Sequence, residues 1–176
     1  MTDTTQALAP NRVLQLPAQA ITAERFAPYG TVMNAEEDGK VFGPDDAQLV
    51  LDRGTPRFYV MNLHQRPMRF ASITRHLQVT QCLASVGGKP WFIAVAPPDA
   101  PDDASAEPDL ARLQAFRVEG HQAIMLSRST WHAGPFFEEE RLAFFNLELA
   151  DTNQVDHHNC HLGRRFGVEA CIEPSR

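Results

Sequence analysis

The chain has 176 residues, 43% apolar and 22% charged, which predicts one domain with a buried core and argues against disorder, collagen and coiled coil. Sixteen Lys and Arg against twenty-two Asp and Glu leave a net charge of −6, a field that repels nucleic acid and anionic lipid. The longest apolar run, Trp91 to Ala96, falls far short of the ~20 residues that cross a bilayer, so neither nucleic acid nor membrane is an expected partner.

Residues 1–20 read as a loose N-terminal leader, polar and Ala/Pro-containing, in which Val13-Leu14-Gln15-Leu16 could form an edge strand. There is no basic residue before Arg12 and no apolar stretch of signal-peptide type, so a cytoplasmic location is expected. The cysteines Cys82, Cys160 and Cys171 agree, being odd in number and unpatterned. Thr22 can cap a short helix with Glu24 in its first turn, ended by Pro28 and Gly30. Residues 31–52 are acidic and punctuated by Gly and Pro, which favours exposed loop with a strand or two.

The middle of the chain reads as β structure. Arg57 to Asn62, Gln78 to Val86, Pro90 to Ala96, Gln122 to Leu126 and Arg141 to Leu149 are short runs rich in β-branched and aromatic residues. Gly87-Gly88 is expected to turn a hairpin between two of them. Residues 97–109 are acidic and Pro-rich, a solvated loop. Short strands at roughly ten-residue spacing predict an all-β sandwich or small barrel with a few short helices. Residues 21–150 form that domain, and the His-containing segment 151–176 is expected to pack on it or trail from it.

Chemistry-bearing residues fall in five places. Between Arg53 and Pro98 there is no Asp or Glu, while Arg53, Arg57, Arg66, Arg69, Arg75 and Lys89 carry positive charge; this segment is a candidate anion-binding wall. Arg75-His76, with Gln81 beyond, places a guanidinium fork beside a titratable imidazole, on opposite faces if the strand is extended throughout. Ser127 to Pro135 reads as a polar loop in which Trp131 and His132 either wall a pocket or pack. Asn146 and Glu148 alternate on one strand, so both face a barrel interior or both face water. The stretch Asp156-His157-His158-Asn159-Cys160-His161 holds metal-ligand types without a metal-site spacing and reads as a polar tail. His64 and His121 stand alone. Phosphate-loop and nucleophile-elbow motifs are absent from the sequence.

Taken together, Ile21 to Gly30, Arg53 to Phe58, Arg75-His76 with Gln81, Gly88-Lys89-Pro90-Trp91-Phe92, Pro108-Asp109-Leu110 with Leu113 to Phe116, and Arg128 with Trp131-His132 resemble the ureidoglycolate lyase family. The resemblance implies a cupin-like double-stranded β-helix, or jelly-roll barrel, often dimeric, with a small carboxylate substrate in the barrel mouth. It implies His132, His76, Arg75, Arg128 and Gln81 as catalytic candidates and Trp131, Lys89, Asn146 and Glu148 as substrate-binding ones. In that reading Arg75 or Arg128 clamps the carboxylate, His132 and His76 exchange a proton, and Gln81 orients the ureido amide. Family members often carry two further imidazoles where this chain has Leu126-Ser127 and Ala133. The His-x-His and later Glu of metal-binding cupins are also missing, so no cofactor is expected. The alternatives are a metal-dependent cupin acting on another small carboxylate and a non-catalytic barrel that binds a small acid.

Overall fold

A computed structural model describes residues 12–174. Thirteen strands are placed among the described residues: β1 (Arg12–Ala20), β2 (Gly30–Met33), β3 (Pro56–His64), β4 (Arg69–Phe70), β5 (Ser72–Arg75), β6 (Gln81–Ser85), β7 (Trp91–Ala96), β8 (Gln114–Val118), β9 (Ala123–Leu126), β10 (Trp131–Phe136), β11 (Arg141–Leu149), β12 (His158–His161) and β13 (Val168–Glu173). The helices α1 (Ala23–Phe26), α2 (Thr152–Val155) and α3 (Leu162–Phe166) are each a turn or so long. An eight-stranded sheet runs β12-β5-β10-β7-β8-β1-β13-β4 and a five-stranded sheet runs β2-β9-β6-β11-β3. This is the all-β, cupin-like barrel architecture expected from the sequence.

β7 explains why its sequence has no polar alternation. It lies inside the larger sheet with β10 on one side and β8 on the other, and both its faces are covered. Trp91, Ile93 and Val95 point into the core between the sheets with Phe26, Phe116, Ile124 and Phe144. Phe92, Ala94 and Ala96 point into a second core with Trp131, Leu162, Ala170 and Ile172. Each fully buried large side chain of this kind contributes roughly 1.5–3 kcal/mol of transfer free energy.

The predicted helix start is present: Thr22 accepts a hydrogen bond from the Arg25 amide at 3.2 Å, and Phe26 is sealed under Phe116 and Tyr29, with centroids 5.5 and 5.8 Å away. Gly30 then opens β2 so close to β9 that a Cβ would sit 1.8 Å from the Met125 carbonyl oxygen, which only glycine tolerates.

Four expectations need correction. Residues 12–20 are no leader: β1 is an interior strand, parallel to both β13 and β8, and the rest of that expected leader lies outside the described residues. Gly87 and Gly88 have the positive φ of a turn, 93° and 72°, yet they carry the chain from the smaller sheet to the larger one. β6 pairs with β9 and β11 while β7 pairs with β8 and β10, so no hairpin forms. Residues 131–136 form β10, where a loop was expected; Gly134 and Pro135 fall at a register shift against β7 and mask the strand pattern. The segment after 150 is woven in, since β12 pairs with β5 and β13 with β1 and β4.

Candidate functional site

One end of the space between the sheets is apolar and filled; the other holds a polar cavity of about 530 Å³. Its walls come mainly from alternating positions of five strands, Tyr59, Met61 and Leu63 on β3, Ser72 and Thr74 on β5, Gln81 and Leu83 on β6, His132 and Phe136 on β10, Asn146 and Glu148 on β11, with Arg69 and Phe70 of β4 at the rim. His76, Arg66 and His157 complete it from connecting segments. The volume lies in the range of small-molecule sites.

His76 and His132 meet inside it, ring centroids 5.1 Å apart. His76 donates from Nδ1 to the Asp156 carbonyl at 2.6 Å, and His132 donates from Nδ1 to the Thr130 carbonyl at 3.1 Å. A carbonyl only accepts, so each neutral ring carries its proton on Nδ1 and leaves Nε2 bare. Burial holds His76 below the ordinary imidazole range. Burial, and after it the cost of a second imidazolium beside His76, pushes His132 down to about 3. Both rings are therefore neutral at pH 7 and able to accept a proton.

The backbone around His76 is held by Asp156, whose carboxylate oxygens accept the Leu77 and Gln78 amides at 2.8 Å each. Opposite lies a wall of linked side chains. Gln81 Nε2 donates to Asn146 Oδ1 and to Glu148 Oε2, both at 3.1 Å. Asn146 Nδ2 donates to Tyr59 Oη at 3.0 Å, and Tyr59 Oη donates to Glu148 Oε1 at 3.1 Å. Asn146 and Glu148 are each 1% exposed, so the question left open by their alternation is answered: both face inward.

The expected guanidiniums are elsewhere. β5 is extended, so Arg75 points away from Thr74 and His76 into the opposite face of the sheet. It lies fully buried 4.5 Å over the Trp131 ring and donates to the Asp103 carbonyl. Arg128 donates to the Leu77 carbonyl at 2.7 Å and approaches Asp102 at 3.3 Å, outside the cavity. Trp131, one residue from His132 on β10, faces the other side and borders a separate cavity of about 620 Å³. Lys89 is exposed after the Gly87-Gly88 turn and lines neither space.

Three cavity residues lie outside the expected catalytic and substrate-binding candidates. Arg66 lies in the cavity wall, its guanidinium 4.5 Å over the Phe136 ring, and burial lowers its pKa. It belongs to the acid-free segment, which was the available signal. Tyr59 sat in a run read only as strand. His157, read as tail, lines the cavity 5.7 Å from His76, because β12 pairing with β5 brings the segment back over the site.

A metal could draw on the bare Nε2 atoms of His76 and His132. Among the described residues, however, no group of three or more His, Cys, Asp or Glu is arranged to hold an ion.

The model of the Ureidoglycolate lyase family matches residues 13–169. The chain belongs to the ureidoglycolate lyase family. Among its relatives is the ureidoglycolate lyase of Brucella ovis, 26% identical over 147 residues, covering 77% of this chain and 83% of that one. That of Schizosaccharomyces pombe is 27% identical over 177 residues, covering 82% and 88%. Among solved structures, a Bacillus subtilis oxalate decarboxylase aligns with a TM-score of 0.39 and 11% identity, over 63% of this chain and 25% of that one. In this family member the His76–His132 pair is the feature with an evident chemical use.

Proposed function

We propose that the chain cleaves ureidoglycolate to glyoxylate and urea as a carbon–nitrogen lyase that needs no metal, and that it works in the cytoplasm as a homodimer. The observation that carries the reaction is the pair of neutral imidazoles, Nε2 free, in a cavity that also holds a guanidinium and an amide. Family membership supports the substrate.

Ureidoglycolate bears a carboxylate, a hydroxyl and a ureido nitrogen on one carbon. The Nε2 of His132 takes the hydroxyl proton, the O–H electron pair becomes the second bond of the aldehyde, and the C–N pair leaves on nitrogen. The imidazole pair returns the proton to that nitrogen, so glyoxylate and urea form with no net proton change. Such positioned acid–base transfer supplies ~10²–10⁴-fold. Arg66 takes the carboxylate-binding role that the sequence had given to Arg75 or Arg128. Its guanidinium keeps only a long hydrogen bond, 3.4 Å to the Pro135 carbonyl, which leaves its remaining donors for a carboxylate. Gln81 orients the ureido group.

The homodimer reading rests on β3, the open edge of the smaller sheet. There Phe58, 67% exposed, stacks on Phe145 at 5.6 Å, and Val60 beside it is 53% exposed, an apolar patch that a second copy would cover. Incubating chelator-treated protein with ureidoglycolate tests the reaction: urea and glyoxylate in equal amounts support it. Activity lost with the chelator and restored by a metal would favour the metal-dependent alternative. Binding without turnover would favour a small-acid-binding barrel.

A further inference from the structure

We infer that Glu148 selects the charge of the ligand end that reaches it, admitting a neutral, N–H-bearing group and rejecting a second carboxylate. The inference rests on the lyase reading of the same cavity and adds the feature by which that cavity tells substrates apart.

Glu148 is the one acid among the described residues lining the cavity. It is 1% exposed and lies within ion-pair distance of no Lys, Arg or His among the described residues. Its hydrogen bonds come from neutral groups: Tyr59 Oη and Gln81 Nε2 at 3.1 Å, and Asn153 Nδ2 at 3.5 Å. Neutral donors hold a carboxylate in place without cancelling its charge, and with little water nearby that charge acts on whatever enters. The wall also spends its donors internally. Both Gln81 Nε2 hydrogens go to Asn146 and Glu148, Asn146 Nδ2 goes to Tyr59, and the Tyr59 hydroxyl goes to Glu148. A ligand group arriving here finds acceptors and negative charge, which suits the N–H groups of a urea and repels a carboxylate.

Arg57 packs over the outer side of Tyr59, 3.8 Å from the ring, but the cations that line the cavity sit apart from this wall. Tyr59 and His64 both line the cavity from different ends of one stretch of β3. Asn146 pairs with Tyr59, while Arg141 pairs with His64, and Arg66 and Arg69 line the cavity just beyond His64. A monoanion with a neutral amide tail matches this polarity; a dianion of the same length does not.

Succinamate and succinate provide the test. Both have the chain length of ureidoglycolate, and they differ only in a terminal amide against a terminal carboxylate. At pH 7.5, calorimetric titration of the wild type is expected to show succinamate binding at least about tenfold tighter than succinate. In Glu148→Gln the gap is expected to shrink to about threefold or less, through improved succinate binding, while Glu148→Asp keeps it. Equal affinities in the wild type, failure of both acids to bind, or an unchanged gap in a folded Glu148→Gln would overturn the inference; the wild-type comparison decides even if the variant does not fold. Urea release without an affinity gap removes this inference alone, whereas a gap without urea release removes the lyase reading.

Discussion

His76 and His132 face each other with ring centroids 5.1 Å apart, each anchored through Nδ1 to a backbone carbonyl. Their depressed pKa values keep both rings in the proton-accepting form at pH values where a free imidazole is charged. The acid limb of kcat/KM is therefore expected below 6.5, the ordinary imidazole value. A limb at or above 6.5 would mean that the reacting base is an ordinary exposed histidine.

The same shift acts on stability. A histidine whose folded pKa lies below its unfolded value gives full stability above the unfolded pKa, near 6.5, and loses it as pH falls toward the folded pKa, here about 3 for His132. Chemical denaturation at pH 7 and pH 4 is expected to show a loss on the order of 2 kcal/mol that His132→Gln largely abolishes. An equal loss in the variant would place the acid sensitivity elsewhere.

Arg66 and Arg75 part company in kinetics. Arg66→Met is expected to raise KM about 10- to 100-fold with kcat changed much less, because it removes the carboxylate's partner. Arg75→Met is expected to leave KM within about threefold. Arg75 packs on Trp131 outside the cavity, and two of its guanidinium nitrogens have no hydrogen-bond partner among the described residues, so Met there changes the melting temperature instead. Steady-state kinetics on the two variants separate the roles.

Gly30→Ala tests the fold where the sequence first suggested a turn. The added Cβ collides with the Met125 carbonyl, so the β2–β9 pairing has to shift. A cost of about 2 kcal/mol or more in urea denaturation is expected, and a neutral result would contradict the close approach.

Phe58→Glu is expected to convert the homodimer to monomer in light scattering at micromolar concentration, since it places a charge on the edge of β3 and removes the stacking partner of Phe145. A wild type that is already monomeric contradicts the proposed use of this patch.

The strands were legible in the sequence wherever a run was both apolar and unbroken. β11 has the predicted bounds, Arg141 to Leu149, and β7 was visible because burial on both faces leaves no polar residue in it. β1 was visible only as a short edge strand at Val13 to Leu16, β10 was hidden by Gly134-Pro135, and β12 and β13 by polar residues that only distant pairing explains. For the site, His76, His132 and Gln81 were legible as residue types at motif spacing. Arg66 was legible only as one of six cations in the acid-free segment, because strand parity turns Arg75 away and loop geometry brings Arg66 in. His157 could not be placed, since nothing local indicates that β12 returns to β5.

The most direct measurement of the central claim is urea release from ureidoglycolate by chelator-treated wild type and His132→Ala, with both melting curves recorded. The imidazole pair predicts sustained turnover in the wild type and a drop of at least about a hundredfold in a folded His132→Ala. Full activity in that variant would contradict it.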